Sequence, residues 1–102
     1  VKSRAGQHVA CQISQVPMAK PHGGTDSILK RWNAPFWSSP YNAYAWSVYL
    51  KGDDGSLTQD WKVSLLVDPP AETLERLPKT YIQIATKDIL RDEGKMYAER
   101  LQ

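Results

Sequence analysis

Cysteine occurs once in the chain, at Cys11, so neither an internal disulfide nor a multi-cysteine metal site is available. Histidine is nearly as scarce. His8 and His22, taken with Cys11 and Asp26, show no ligand spacing such as H-E-x-x-H, so no metal site and no cofactor are expected. No apolar run approaches the roughly 18 residues of a membrane span. Residues 1–8 lack the apolar core of a signal peptide, and there is no initiating Met, which suggests a piece of something longer. Charge of one sign is also missing. A net +2 without a basic run gives no footprint for nucleic acid.

What is present is aromatic. Four Trp and five Tyr supply much of an otherwise modest apolar content, each able to remove on the order of 150–250 Å² from water. With 102 residues the chain makes one domain at most, burying roughly 60–65% of its unfolded surface. Charge divides unevenly: residues 1–51 hold six Lys/Arg against the single Asp26, and residues 52–102 hold seven against ten acids. Such a split marks a solvated face or surfaces of complementary sign.

Residues 9–16 read as a strand closed by Pro17, with Val9, Ala10, Cys11, Ile13 and Val16 apolar, although periodicity alone also allows a helix. Pro21 and two Gly make residues 18–25 a loop. Asp26 or Ser27 caps a short helix through Ile28, Leu29 and Trp32. Ser39 and Pro40 open a longer helix over residues 40–51, with Gly52 as the left-handed residue beyond its end. A short helix follows Asp68-Pro69-Pro70. Tyr81 to Thr86 is the second strand, and residues 90–101 form the last helix, with Met96, Tyr97 and Leu101 on one face. Two parallel strands separated by some sixty residues describe a long, right-handed crossover. The aromatics between residues 32 and 49 are read as core and helix-packing surface, and Cys11 as a small hydrophobe.

The most informative stretch is Leu77 to Gly94, LPKTYIQIATKDILRDEG. An apolar strand runs into an acidic turn and then a helix, and carboxyl ends of strands are where open α/β sheets carry their chemistry. Read without relatives, Asp88 is an acid after a strand, and Asp92 and Glu93 are acids suited to a helix's first turn. The stretch resembles the acid-bearing segment of the α/β-hydrolases, specifically the hormone-sensitive-lipase-like esterases, where D-P-L-R-D-E-G follows a strand. Ala34-Pro35-Phe36-Trp37, Ala45-Trp46 with Tyr49-Leu50, Ser64-Leu65-Leu66 and Met96 to Leu101 fall in the family's order. The likeness covers most of the chain from about Val9. Ile89 stands where the family has Pro, and Ser64 lacks the usual Pro neighbour.

The resemblance implies an α/β fold: a single partial α/β-hydrolase domain over residues 1–102, two parallel strands with a helical crossover and cap-side excursion. It makes Asp88 the acid of a Ser-His-Asp triad, and puts Phe36 and Trp37 beside the acyl pocket. The chain holds no G-x-S-x-G, and Gly55-Ser56-Leu57 lacks both glycines of that elbow. His22-Gly23-Gly24 is similar to an oxyanion loop, but Thr25 replaces its third Gly and no nucleophile follows, so it is read as a plain loop. Both His precede Asp88, against the family order of Ser, Asp, His. The expected function is therefore part of a carboxylic-ester hydrolase, inactive alone, acting on a small-molecule ester once complete. Its exposed strands are expected to be covered by the rest of the fold or by self-association. The alternative is a non-catalytic remnant or interaction module completed by a partner.

Overall fold

A computed structural model describes residues 9–102; His8 and the residues before it lie outside the described part. Two parallel strands, β1 (Cys11–Gln15) and β2 (Lys79–Gln83), pair in register from Cys11 opposite Lys79 to Gln15 opposite Gln83. Between them come α1 (Asp26–Lys30), α2 (Ser39–Tyr49), a 3₁₀ turn at Leu57–Gln59 and α3 (Ala71–Glu75), and α4 (Arg91–Arg100) follows β2. The parallel pair with its long helical excursion is the expected architecture. Among the described residues no helix is long and apolar enough to cross a membrane.

The strand ends differ from the expected 9–16 and 81–86. Pro17 has no N–H to donate, so the ladder closes with Val16 N–H to the Gln83 carbonyl at 2.8 Å. Ile84 to Thr86 therefore have no partner strand among the described residues and leave the sheet. Side chains alternate between the two faces. Gln12 reaches Thr80 Oγ1 at 2.9 Å on the half-buried face. On the other, Ile13 stands opposite Tyr81, and both remain more than 60% exposed. Cys11 shares that open face and is exposed, not packed as expected.

Helix α2 begins one residue earlier than predicted. The N-cap is Ser38, whose hydroxyl accepts from the Tyr41 amide at 3.4 Å, and Ser39 is the first helical residue. Ser39 is buried and donates its hydroxyl to the Ile28 carbonyl at 2.7 Å, tying α2 to α1. Ser39, Asn42 and Trp46 share one face at helical spacing and are buried. Tyr41 and Tyr44 point the opposite way and are exposed, so the aromatic core predicted here reduces to Trp46 and the half-buried Trp37. Tyr49 meets Trp46 edge-on, with ring centroids 5.8 Å apart. Gly52 is left-handed at φ +83°, one residue beyond the predicted position, because the helix cap is Leu50.

The apolar core is small. Ile28 of α1 packs with Ile89 and Leu90, and Met18, Ala34 and Trp37 close around them. This cluster sits directly beneath the turn that precedes α4. On α4, Tyr97 and Leu101 are half-buried as expected, whereas Met96 is exposed.

Candidate active site

Asp88 does not follow β2 as closely as the sequence suggests. The strand ends at Gln83, and Ile84 to Lys87 intervene, so the sheet alone does not hold the carboxylate. A tight turn does. The Asp88 amide donates to the Ala85 carbonyl at 3.1 Å, and the Arg91 amide donates to the Asp88 carbonyl at 3.3 Å. Oδ1 of Asp88 accepts from the Leu90 amide at 2.8 Å, the local side-chain-to-backbone turn that Asp favours. Ile89 and Leu90 anchor this turn by being buried in the core. The half-buried Asp88 side chain keeps acceptor capacity on Oδ2.

Asp88 lines an open cleft of about 740 Å³, whose walls include Trp32, Phe36 and Trp37 and whose rim carries Lys30 and Lys87. Trp37 is fixed by its indole N–H, which donates to Asn42 Oδ1 at 3.2 Å. Phe36 is fully exposed and has a left-handed backbone at φ +67°. The Trp37 amide bonds back to the Pro35 carbonyl at 2.8 Å, making Phe36 the centre of a three-residue turn of the rare, strained hand. The resemblance placed Phe36 and Trp37 beside a pocket, and both line the cleft that holds Asp88.

The first turn of α4 braces the Asp88 turn from two sides. Asp92 accepts from the Ser27 amide through Oδ2 at 2.8 Å and from Arg91 Nε through Oδ1 at 2.8 Å. The Arg91 bond, followed by the Ser27 contacts, lowers the Asp92 carboxyl below its ordinary range. The Ser27 hydroxyl, itself buried, donates to the Ile89 carbonyl at 2.5 Å. Glu93 is fully buried and accepts from the Ala19 amide at 3.1 Å, while its Oε2 has no partner among the described residues. Burial pushes its carboxyl up to about 7; the Ala19 and Lys20 amides and the Lys20 charge pull the other way, and the Asp88 charge adds to the rise.

Gly94 explains how Glu93 reaches so far. A Cβ there would lie 2.7 Å from Ile84 Cγ2 and 3.6 Å from Pro17. Only a residue without a side chain lets α4 approach the ends of both strands this closely. Sequence reasoning took Glu93 for an acid suited to a helix's first turn and gave Ser27 only a capping role. The glycine inside a helix was the one local sign of close approach, since Gly disfavours helix interiors by about 1 kcal/mol against Ala.

The other candidates stay apart from this site. His22 is exposed and lines a separate hollow against α2, and Gly23 and Gly24 are left-handed loop residues. Ser56 is exposed in a turn held by Asp53 and Asp54. Among the described residues no three His, Cys, Asp or Glu side chains converge as metal ligands would.

Neutral cholesterol ester hydrolase 1 of Mus musculus is 61% identical over 31 residues, a stretch covering 30% of this chain and 8% of that protein. The Bos taurus and Rattus norvegicus counterparts are each 58% identical over 31 residues, with the same coverage. The match thus spans a small part of these relatives' length. No solved structure matches the chain. The family model described as the alpha/beta hydrolase fold matches residues 1–102, and the chain belongs to that family.

Proposed function

We propose that this chain supplies the acid of a Ser-His-Asp triad in a carboxylic-ester hydrolase, and that Asp88 is that acid. The observation that carries the reading is the Asp88 turn. A carboxylate beyond the end of a parallel strand is pinned through one oxygen by the Leu90 amide and opens onto a cleft with aromatic walls. An acid in this position orients an imidazole, fixes its tautomer and stabilises its charged form while a serine attacks the ester carbonyl. The serine and histidine of that triad are not among the motifs of this chain and would be supplied by other parts of the intact protein. The names of the matched relatives support an ester as substrate.

The test is hydrolysis of a short-chain nitrophenyl ester by the intact natural protein and its Asp88→Asn variant. Asparagine keeps the shape and can still accept from Leu90, but it holds the imidazole in the wrong tautomer. In trypsin the equivalent change from aspartate to asparagine lowers turnover by about 10⁴-fold, and a loss of that order is expected here. Near-parental turnover in Asp88→Asn would refute the assignment.

A further inference from the structure

We propose that Glu93 is a positioning residue for Asp88: its buried carboxyl clamps the chain leaving β1, at Ala19, to the first turn of α4, and so sets where the Asp88 turn sits. The inference rests on the reading of Asp88 as the triad acid.

Four observations converge on the clamp. Glu93 and Ala19 are both 0% exposed, so their hydrogen bond is shielded from competing water. The bond joins residues 74 apart in sequence, linking the exit of β1 to the element that follows Asp88. Gly94 beside it removes the side chain that would hold α4 away from Ile84 and Pro17. Leu90, whose amide pins Asp88 Oδ1, lies between Asp88 and Glu93 in sequence and is buried in the core. The last ladder bond of the sheet ends at Gln83, so beyond it the strand exits need another tie. On the β1 side, Glu93–Ala19 is that tie.

Burial disfavours the charged form of Glu93 more than the Ala19 and Lys20 contacts favour it. Its Oε2 has no hydrogen-bond partner among the described residues, so ionisation would leave one buried carboxylate oxygen unbonded. The charged groups acting on it are Lys20 on the chain leaving β1 and Asp88 on the turn, and they act in opposite directions. A neutral Glu93 also adds no second negative charge near Asp88. The Asp88 charge then remains the one available to a histidinium.

Two substitutions separate positioning from bulk. Glu93→Met fills the same space but offers the Ala19 amide no good acceptor, whereas Glu93→Gln keeps a carbonyl oxygen for it. In the intact natural protein, Glu93→Met is expected to lower kcat by about 10²-fold, as a small misplacement of a catalytic group does, with KM little changed. Glu93→Gln, which keeps the acceptor for the Ala19 amide, is expected to restore kcat to the parental value. Hydrogen exchange supplies a readout independent of activity. The Ala19 and Leu90 amides should exchange faster in Glu93→Met and as in the parent in Glu93→Gln, while the Leu50 amide at the end of α2 is unchanged.

Parental kcat in Glu93→Met overturns the proposal. Unchanged Leu90 exchange in Glu93→Met does the same. Should Glu93→Met fail to fold, Glu93→Gln decides: kcat and Leu90 exchange as in the parent support the clamp, and a loss of kcat of about 10²-fold in folded Glu93→Gln overturns it. Should the parent hydrolyse no ester, the reading of Asp88 fails, yet Leu90 exchange still reports whether Glu93 positions that turn.

Discussion

Ser27 and Asp92 bond to each other twice across 65 residues of sequence: the Ser27 amide donates to Asp92 Oδ2 at 2.8 Å, and the Asp92 amide donates to Ser27 Oγ at 3.3 Å. The reciprocity resembles a capping box, but its two halves belong to different helices. The start of α1 is thereby fastened to the start of α4. The Ser27 hydroxyl completes the joint by donating to the Ile89 carbonyl.

Ser27→Ala should therefore destabilise the fold by about 1–3 kcal/mol. It removes the partner of a buried carbonyl and of the Asp92 amide while leaving the Ser27 amide bond to Asp92 in place. Urea unfolding of the two proteins measures the difference. A change within the scatter of surface substitutions, about 0.5 kcal/mol, would show that the joint contributes nothing.

Gly94→Ala sets two effects against each other. Alanine improves helix propensity by up to about 1 kcal/mol. Its Cβ, however, would sit 2.7 Å from Ile84 Cγ2, a branched methyl close to the backbone with little room to yield. Overpacking of this kind costs about 1–3 kcal/mol, so the net change should be a lowered midpoint in thermal unfolding. A raised midpoint would mean that α4 can back away freely.

Glu93 predicts how stability responds to pH. Its carboxyl ordinarily titrates near 4.5 and is raised to about 7 in the fold. Below pH 4.5 it is protonated in both folded and unfolded chains. Between 4.5 and 7 only the folded chain keeps the proton, so stability falls as pH rises and levels off above 7. At about 1.4 kcal/mol per pH unit the whole fall is at most about 3 kcal/mol. Asp92 acts in the opposite sense and in a separate window, since its lowered carboxyl gives stability that is lost only as pH drops below about 3.8. Unfolding midpoints between about pH 4 and 8 should slope downward in the parent and be flatter in Glu93→Gln. Parallel slopes would refute the coupling.

Phe36→Gly should stabilise the fold, an unusual outcome for removing an aromatic. The side chain is fully exposed and its backbone is left-handed, so little packing is lost while a strained conformation is relieved. The gain expected is about 1 kcal/mol, the lower end of what such backbone strain costs. A loss of stability would show that Phe36 packs against something in the intact protein.

The sequence showed which elements exist better than which way they face. Parallel strands near residues 11–15 and 79–83, and helices near 39–49 and 91–100, follow from short apolar runs and Pro, Ser and Gly punctuation. Facing is different, because it depends on where distant helices settle. Ile13 and Cys11 look like core residues, yet they lie on the open side of the sheet, while Gln12 and Thr80 occupy the covered one and satisfy each other. The Asp88 turn was legible because its chemistry is local. Glu93 was not, because its partner Ala19 is 74 residues away.

The pairing of β1 with β2 also sets a schedule for synthesis. Gln12 must wait for Thr80, 68 residues later, before its side chain finds its partner. At roughly 5–20 residues per second, translation leaves the β2-facing edge of β1 unpaired for about 3–14 seconds. Throughout that interval Ile13 and its neighbours present an unpaired edge, and closing so long a loop is entropically slow. A ribosome-associated chaperone would therefore meet the β2-facing edge of residues 11–15 before the acid turn has been made.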